Sequence, residues 1–131
     1  MSLKKVLLAD ANPDCRELCR RYLEILGYPR PIEAEDGEQA LHHALIERPG
    51  LIVMEIRLPK IDGFEIVARL RGNPATRDAR ILAATSMALE RDREKCLAKG
   101  FHGYLAKPFT VQGLKESLLA VLSDHPKGAP P

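Results

Sequence analysis

Five short apolar runs alternate with helix-length amphipathic segments along the chain, and this alternation constrains the fold more than any other feature. Strands are predicted at Lys4–Asp10, Pro31–Glu35, Leu51–Ile56, Arg80–Thr85 and Gly103–Ala106. Helices are predicted at Pro13–Gly27, Gly37–Arg48, Gly63–Arg71, Ala88–Lys99 and Val111–Leu122. Strands that alternate with helices form parallel sheets joined by right-handed crossovers. The sequence therefore predicts a doubly wound α/β fold.

Apolar residues at helical spacing predict which face of each helix is buried. Residues expected to face inward are Cys15, Leu18, Cys19 and Tyr22 in the first helix, Ala40, Leu41, Ala44 and Leu45 in the second, and Val111, Leu114, Leu118 and Val121 in the fifth. The odd count of three cysteines argues against a disulfide framework. We therefore interpret Cys15 and Cys19 as core residues rather than as a metal-binding or redox pair.

Composition excludes several classes of partner. With 20 basic and 18 acidic residues, the net charge of +2 is too balanced for a nucleic-acid footprint. No apolar run approaches the roughly 20 residues of a membrane span, and no signal peptide is predicted. We expect a cytoplasmic protein with one domain over residues 1–122. Residues 123–131 are rich in Pro, Gly and charge, which predicts a disordered tail or a truncated linker.

Four polar residues each stand at the end of an apolar run: Asp10, Glu55, Thr85 and Lys107. In an open parallel sheet, ligands bind outside the carboxyl ends of the strands. The four strand ends therefore offer two carboxylates, a hydroxyl and an ammonium to one crevice. Such a set suits a phosphoryl group or a divalent cation.

Four sequence blocks occur in a characteristic order and spacing, namely 6–13, 56–65, 84–86 and 103–109. Together they resemble the receiver domain of bacterial two-component response regulators, and the resemblance runs from Lys4 to about Leu122. It implies a flavodoxin-like, five-stranded parallel sheet in the order 2-1-3-4-5 with five helices. It also implies a signalling module of a phosphorelay system rather than an enzyme.

The resemblance assigns a role to each strand-end residue. Glu55 stands where the family has an Asp that accepts a phosphoryl group, and Asp10 matches one of two acids that bind Mg²⁺. Thr85 and Lys107 match groups that contact the phosphoryl oxygens, and Tyr104 matches an aromatic residue that reports the state of the domain. The bond between Lys107 and Pro108 is, by the same resemblance, a candidate cis peptide.

Two positions depart from the family pattern. Ala11 replaces the second acid, which leaves only Asp10, Glu55 and the Arg57 backbone carbonyl as metal ligands. Because Mg²⁺ demands near-octahedral oxygen ligands, we expect weak or absent binding and no resident cofactor. Glu is one methylene longer than Asp, and a misplacement of about 1 Å can slow a positioned reaction by on the order of 100-fold. The sequence therefore predicts a degenerate receiver that acts through protein contacts.

Charge balance is compatible with this interpretation, because Lys107 can pair with one carboxylate and Arg57 with the other. Glu55 as a mimic of the phosphorylated state is less favoured, since a carboxylate carries one charge against roughly two for a phosphoryl group. One alternative is a working phosphoreceiver and slow autophosphatase that accepts its phosphoryl group from a histidine kinase. A flavodoxin-like redox protein is a remote alternative, because the segment 10–13 has no Gly and carries an acid.

The remaining polar residues have simpler interpretations. Asp62 is expected to cap the third helix, His42 and His43 to lie on a solvated helix face, and His102 to lie away from the carboxyl edge. The resemblance implies that helix four, strand five and helix five form the output and dimer surface, where residues 90–95 are all charged. Expected partners are a sensor histidine kinase or another signalling protein, with a homodimer through this surface as a further option.

Overall fold

The structure, a computed structural model, describes residues 2–87 and 89–123, with the backbone alone for residues 2–4. The strands are β1 (Ser2–Ala9), β2 (Ile32–Ala34), β3 (Pro49–Met54), β4 (Arg80–Thr85) and β5 (Gly103–Ala106). The helices are α1 (Pro13–Ile25), α2 (Gly37–Glu47), α3 (Gly63–Arg71), α4 (Glu90–Ala98) and α5 (Val111–Val121). Ala88, the expected start of helix four, and the expected tail after Ser123 lie outside the described residues.

All five strands pair in parallel, in the order β2-β1-β3-β4-β5, which confirms the flavodoxin-like topology. The register aligns Ala9 of β1 with Met54 of β3, so the next residue of each strand, Asp10 and Glu55, leaves the sheet at the same level. Backbone bonds continue for one residue past each strand, from Asp10 N to the Ala34 carbonyl (3.0 Å) and from Glu55 N to the Ala9 carbonyl (2.9 Å). The pairing of the strands therefore places both carboxylates at the same level along the carboxyl edge of the sheet.

The core has two layers, one on each face of the sheet. Every residue of the central strand β3 is buried, as expected for a parallel strand covered on both faces. Side chains that alternate along β1 and β3 divide between a layer under α2, α3 and α4 and a layer under α1 and α5. No described helix has both the length and the apolar composition that crossing a bilayer requires.

Side-chain caps explain where four of the helices begin. The Asn12 side chain accepts from the amides of Asp14 and Cys15 at the start of α1. Asp36 caps α2, Thr110 caps α5, and Asp62 caps α3 by accepting from Glu65 N at 2.9 Å. The interpretation of Asp62 as a helix cap is therefore confirmed. Each of these residues satisfies amide groups that a helix start leaves without a partner.

Several predicted boundaries and faces were wrong. The third strand was predicted to begin at Leu51, but it begins at Pro49, directly after Arg48 ends α2 in a left-handed conformation (φ 49°). A first strand position tolerates Pro because its missing amide removes no interior ladder bond. Leu45 is 39% exposed and Leu18 is 46% exposed, although both were expected to face inward. The sheet buries only the narrow stripe of each helix around Ala44 and Cys19.

Candidate functional site

The carboxyl edge of the sheet brings the four strand-end residues together. Asp10 and Glu55 are 6% and 7% exposed, and Thr85, the last residue of β4, is completely buried. The Lys107 ammonium reaches in from the residue after β5 and lies 2.5 Å from Asp10 Oδ2 and 3.1 Å from Glu55 Oε1. The crevice predicted from the strand ends therefore contains two buried carboxylates bridged by one ammonium.

The Glu55 carboxylate accepts hydrogen bonds on both oxygens. Oε2 accepts from the amide of Ile56 at 2.7 Å and from the amide of Arg57 at 3.3 Å. Oε1 accepts from Lys107 and from the amide of Ser86 at 3.4 Å. Burial acts to raise the pKa of Glu55, but hydrogen bonds from Thr85, Lys107 and Arg57 and the charge of Lys107 together hold that pKa below its ordinary value. Glu55 is therefore an ionised carboxylate inside a ring of donors.

The loop after β3 orients the amides that bind Glu55. Gly63 N donates to the Ile56 carbonyl at 2.7 Å, which folds residues 57–62 back onto the end of the strand. A Cβ at position 63 would lie 2.9 Å from Ile56 Cα, so this close return requires glycine. Gly63 was assigned only to a helix start by sequence reasoning, although it also supports the cradle of Glu55.

Lys107 bridges both acids, whereas the sequence predicted that it pairs with one and that Arg57 neutralises the other. The Arg57 side chain is exposed, and in the described part of the chain only its backbone amide contacts Glu55. Burial acts to lower the pKa of Lys107, but the hydrogen bond that it donates to Asp10 and the charges of both acids raise that pKa above its ordinary value. The ammonium therefore stays charged.

Asp10 has fewer donors than Glu55. Its Oδ1 accepts from the amide of Asn12 at 2.9 Å, and its Oδ2 accepts from Lys107. The Arg16 guanidinium, which sequence reasoning missed, donates to the Asp10 backbone carbonyl at 2.9 Å and also to Glu33 at 3.2 Å. Arg16 thereby ties α1 to the ends of β1 and β2 and fixes the backbone of Asp10.

The arrangement is a poor fit for a resident Mg²⁺ ion. Ala11 offers no side-chain oxygen, and the oxygens of Asp10 and Glu55 that face each other are both occupied by the Lys107 ammonium. A divalent cation at this place would have to displace Lys107. It would then have one carboxylate ligand fewer than in the family pattern, because Ala11 replaces the second acid. Hard cations that need six oxygen ligands are therefore disfavoured by the residues present.

A family model described as the response regulator receiver domain matches residues 6–119, which is most of the chain. This chain belongs to the response regulator receiver domain family. The resemblance inferred from the sequence blocks is thereby confirmed for the family and for the fold. Ala11 and Glu55, the two departures from the family pattern, both lie within the matched residues.

A sensor protein and a response regulator are among the proteins that are similar to this chain. The sensor protein EvgS of Escherichia coli (strain K12) is 37% identical over 113 residues, covering 86% of this chain and 9% of EvgS. The polar-differentiation response regulator DivK of Brucella anthropi is 31% identical over 121 residues, covering 92% of this chain and 98% of DivK. The chain thus spans less than a tenth of EvgS and nearly all of DivK.

Solved receiver structures share the fold closely. The chemotaxis response regulator CheY4 of Vibrio cholerae has a TM-score of 0.84 at 30% identity, covering 92% of this chain and 100% of that chain. The receiver domain of the sensor histidine kinase PA1611 from Pseudomonas aeruginosa PAO1 has a TM-score of 0.80 at 36% identity, covering 90% of this chain and 96% of that chain. That second structure has a magnesium ion coordinated in the active site cleft.

Thr85 and Tyr104, to which the resemblance assigned phosphoryl contact and a report of the state of the domain, lie on the neighbouring strands β4 and β5. The Thr85 hydroxyl accepts from the amide of Met87 at 3.2 Å. Tyr104 is half-buried, and its hydroxyl is buried without a hydrogen-bond partner among residues 2–87 and 89–123. Burial also raises the pKa of Tyr104, with the nearby acid Asp92 adding to the effect. The Lys107–Pro108 bond is cis, in agreement with the expectation from the family.

The histidines lie away from this crevice. His102 precedes β5, where its Nδ1 accepts from Ile81 N and lies 3.1 Å from the Arg71 guanidinium. Burial and the positive charges of Arg71 and Arg80 lower the pKa of His102 to about 4. Because His102 is neutral near pH 7, it acts as a structural acceptor at the opposite edge of the sheet. His42 is exposed and His43 is half-buried on α2.

Proposed function

We propose that this receiver domain acts in a two-component phosphorelay system through protein contacts and does not accept a phosphoryl group at Glu55. The observation that carries the proposal is the Lys107 ammonium, which contacts both Asp10 and Glu55. A fixed ammonium compensates part of the buried negative charge without a metal ion. The domain is then a cytoplasmic signalling module rather than an enzyme, and a sensor histidine kinase or another signalling protein is its partner.

The hydrogen bonds of Glu55 make its carboxylate a poor nucleophile toward a phosphoryl donor. Its two oxygens already accept from the amides of Ile56, Arg57 and Ser86 and from Lys107. A carboxylate with a depressed pKa is also a weaker base than an ordinary one, and attack requires at least one oxygen to leave its donors. The extra methylene of Glu adds a displacement, and about 1 Å of misplacement can cost on the order of 100-fold in rate.

The same contacts support Glu55 as a fixed substitute for a phosphorylated group. By resemblance, Thr85 and Lys107 would contact phosphoryl oxygens; here Lys107 contacts the Glu55 carboxylate instead, and the Thr85 hydroxyl helps to lower the pKa of that carboxylate. The charge of a carboxylate is smaller than the roughly −1.5 to −2 of a phosphoryl group, but the donors are the same. We therefore favour a domain that rests in one dominant state, with Tyr104 turned inward. The charge argument from sequence had disfavoured this interpretation.

Acetyl phosphate is expected to leave no phosphoryl group on Glu55. The test is intact-mass spectrometry after incubation with acetyl phosphate and Mg²⁺, followed by peptide mapping. Glu55→Gln is the matched control, since it keeps the size of the side chain and removes the acceptor carboxylate. A phosphoryl adduct that maps to Glu55 and is lost in Glu55→Gln would refute the proposal and favour the working phosphoreceiver.

Magnesium is expected to bind weakly, because it must displace Lys107 and finds no ligand at Ala11. A titration monitored by amide chemical shifts of the residues around Asp10 should not saturate near physiological Mg²⁺ concentrations. Ala11→Asp is the matched variant and should bind more tightly, since it restores one carboxylate. A sub-millimolar site that includes Asp10 in the unmodified chain would contradict this expectation.

The surface proposed for partner or dimer contacts is the α4–β5–α5 surface, formed by the exposed faces of those three elements. Arg91 is exposed on α4, whereas Arg93 is half-buried and pairs with Glu90 at 3.3 Å. Leu89, just before α4, is 54% exposed. Charged residues of both signs around an exposed leucine favour specific, salt-sensitive pairing over non-specific attraction.

Reversing Arg91 and Arg93 to Glu is expected to weaken a homodimer or a partner complex without a large loss of stability. The exposed position of Arg91 and the weak pair of Arg93 limit the cost to about 1 kcal/mol or less. Sedimentation and binding to the partner kinase are measured at low and high salt. Arg21→Glu on α1, which is also exposed, is the control. If Arg21→Glu abolishes association and the α4 reversal does not, the proposed surface is wrong.

A further inference from the structure

An apolar cavity of about 370 Å³ opens beside the carboxylates, between α1 and the residues that follow β5. Its walls include the side chains of Cys15, Leu18, Cys19, Val53, Ala84 and Phe109. Asp10, Glu55 and Lys107 form its polar end. The volume lies within the roughly 300–1,000 Å³ that is typical of small-molecule sites. An apolar lining with a few convergent polar groups is also typical of such sites.

The cavity exists because small residues line its walls and a large residue remains at its rim. Ala84 and Cys19 are buried and too short to fill the space, and Cys15 is half-buried on the same helix face. Leu18 stands at the rim and is 46% exposed, although helical periodicity predicts that it is buried. An exposed leucine beside an apolar cavity offers additional apolar surface to a ligand that enters it.

The charges at the polar end leave the cavity negative. Asp10 and Glu55 are two carboxylates and Lys107 is one ammonium, so the sum at the polar end is one negative charge. Burial raises the pKa of the Cys19 thiol to about 12, and the charge of Asp10 adds to this effect more than Lys107 opposes it. The negative charge of Asp10 therefore acts on a thiol in the cavity wall.

We propose that this cavity binds a small organic cation, in which an apolar body lies against Cys19, Ala84 and Phe109 and a protonated amine lies against Asp10. Asp10 is the better of the two carboxylates for this contact. It accepts from one backbone amide and from Lys107, whereas Glu55 accepts from three amides in addition to Lys107. The protonated amine would be the second cation at this end, beside Lys107, and the two positive charges would balance those of Asp10 and Glu55.

The inference goes beyond the proposed function and does not rest on it. The cavity and its charges are those of the unphosphorylated domain, which exists whether or not Glu55 can accept a phosphoryl group. Occupation by a cation would place a ligand between α1 and Phe109, next to Lys107. A signal could then reach the domain as a small molecule.

The test is isothermal titration calorimetry with phenethylamine, phenethyl alcohol and phenylacetate, which share an aromatic body and differ in charge. Phenethylamine is expected to bind at least roughly tenfold more tightly than the alcohol, a difference of about 1.4 kcal/mol. Phenylacetate is expected to bind most weakly, because its carboxylate meets a negative field. Amide chemical shifts should change at Cys19 and Ala84. Equal affinity for the amine and the alcohol, or no saturable binding of any probe, overturns the proposal.

Two variants locate the site. Asp10→Asn should remove most of the preference for the amine, and Cys15→Phe should abolish binding by filling the cavity from a half-buried position. Glu17→Gln, on the exposed side of α1, is the matched control for loss of one negative charge. Ala84→Val fills the cavity from the sheet and replaces Cys15→Phe if that variant does not fold. Probe binding that survives both cavity-filling variants contradicts the proposed site. The proposal is also contradicted if no probe binds and the unmodified chain is a dimer that the filling variants dissociate, because the cavity then receives a second copy of the chain.

Discussion

The double variant Ala11→Asp, Glu55→Asp is expected to gain both Mg²⁺ binding and phosphorylation by acetyl phosphate. Glu55→Asp alone should gain little. Intact-mass spectrometry with and without Mg²⁺ measures the outcome. We expect the rate of adduct formation in the double variant to exceed that of the unmodified chain by on the order of 100-fold or more, because both positioning and charge are corrected.

The physical reason is that each substitution repairs a different defect. Shortening Glu55 withdraws its carboxylate from the amides of Ile56 and Arg57, which hold Oε2 at 2.7 and 3.3 Å. Adding a carboxylate at position 11, which is exposed and directly follows Asp10, supplies the missing metal ligand. With a divalent cation between the acids, Lys107 no longer needs to bridge them and becomes available to a phosphoryl oxygen.

The matched control is Ala11→Asp with Glu55→Asn, which has the same metal ligands near β1 but no acceptor carboxylate. It should bind Mg²⁺ more weakly than the double variant and should form no adduct at position 55. An inert double variant that is folded and binds Mg²⁺ would contradict the explanation. In that case, some feature beyond Ala11 and Glu55 prevents the reaction.

Sequence alone predicted the elements that determine where the site lies. The apolar runs predicted all five strands, and the polar residues at the ends of four of these runs lie at one edge, because parallel strands end together there. The Lys107 ammonium lies within hydrogen-bonding distance of both Asp10 and Glu55. Helix starts at Asn12, Asp62 and Thr110 were also predictable, since capping depends on local sequence.

Sequence could not predict how the polar atoms pair within the crevice. Lys107 lies 97 residues after Asp10 in the sequence, so its pairing with both acids is a long-range contact. Arg57, whose side chain is exposed, was the other cation that the sequence offered to these carboxylates. The contacts of Glu55 with backbone amides depend on the return of the loop at Gly63. The exposure of Leu18 and the cavity behind it depend on the distance between α1 and Phe109. Helical periodicity contains no information about that distance.

Lys107→Met is expected to be the most destabilising single substitution in the crevice. It leaves two buried carboxylates side by side with no cation, and removing one partner of a buried pair costs about 3–5 kcal/mol. Because the Lys107 side chain is 15% exposed, solvent relieves part of that cost. We therefore expect a loss near the lower end of that range, measured by urea unfolding near pH 7.

The pH dependence separates charge from packing. In the unmodified chain the pKa of Glu55 is depressed, so its contribution is present above the unfolded value of about 4.3 and is lost as the pH falls through the folded pKa. The pKa of Lys107 is raised, so its contribution is lost only as the pH rises above about 10.4. The contribution of this bridge should thus be nearly constant between these limits, whereas His102, with its pKa lowered to about 4, destabilises the unmodified and variant chains alike as the pH falls below about 6.5. In Lys107→Met, repulsion raises a carboxylate pKa, so the stability lost relative to the unmodified chain should shrink as the pH falls from about 7 to 5.

Two companion variants make this prediction specific to the bridge. Lys5→Met removes an exposed lysine that is also 3.1 Å from a glutamate, Glu47, and exposed pairs contribute only about 0–1 kcal/mol. Asp10→Asn combined with Lys107→Met removes one charge of each sign and should recover part of the lost stability at neutral pH. If Lys107→Met costs no more than Lys5→Met and is insensitive to pH, the ammonium does not compensate the buried acids. The proposal of a metal-free, fixed Glu55 would then lose its physical basis.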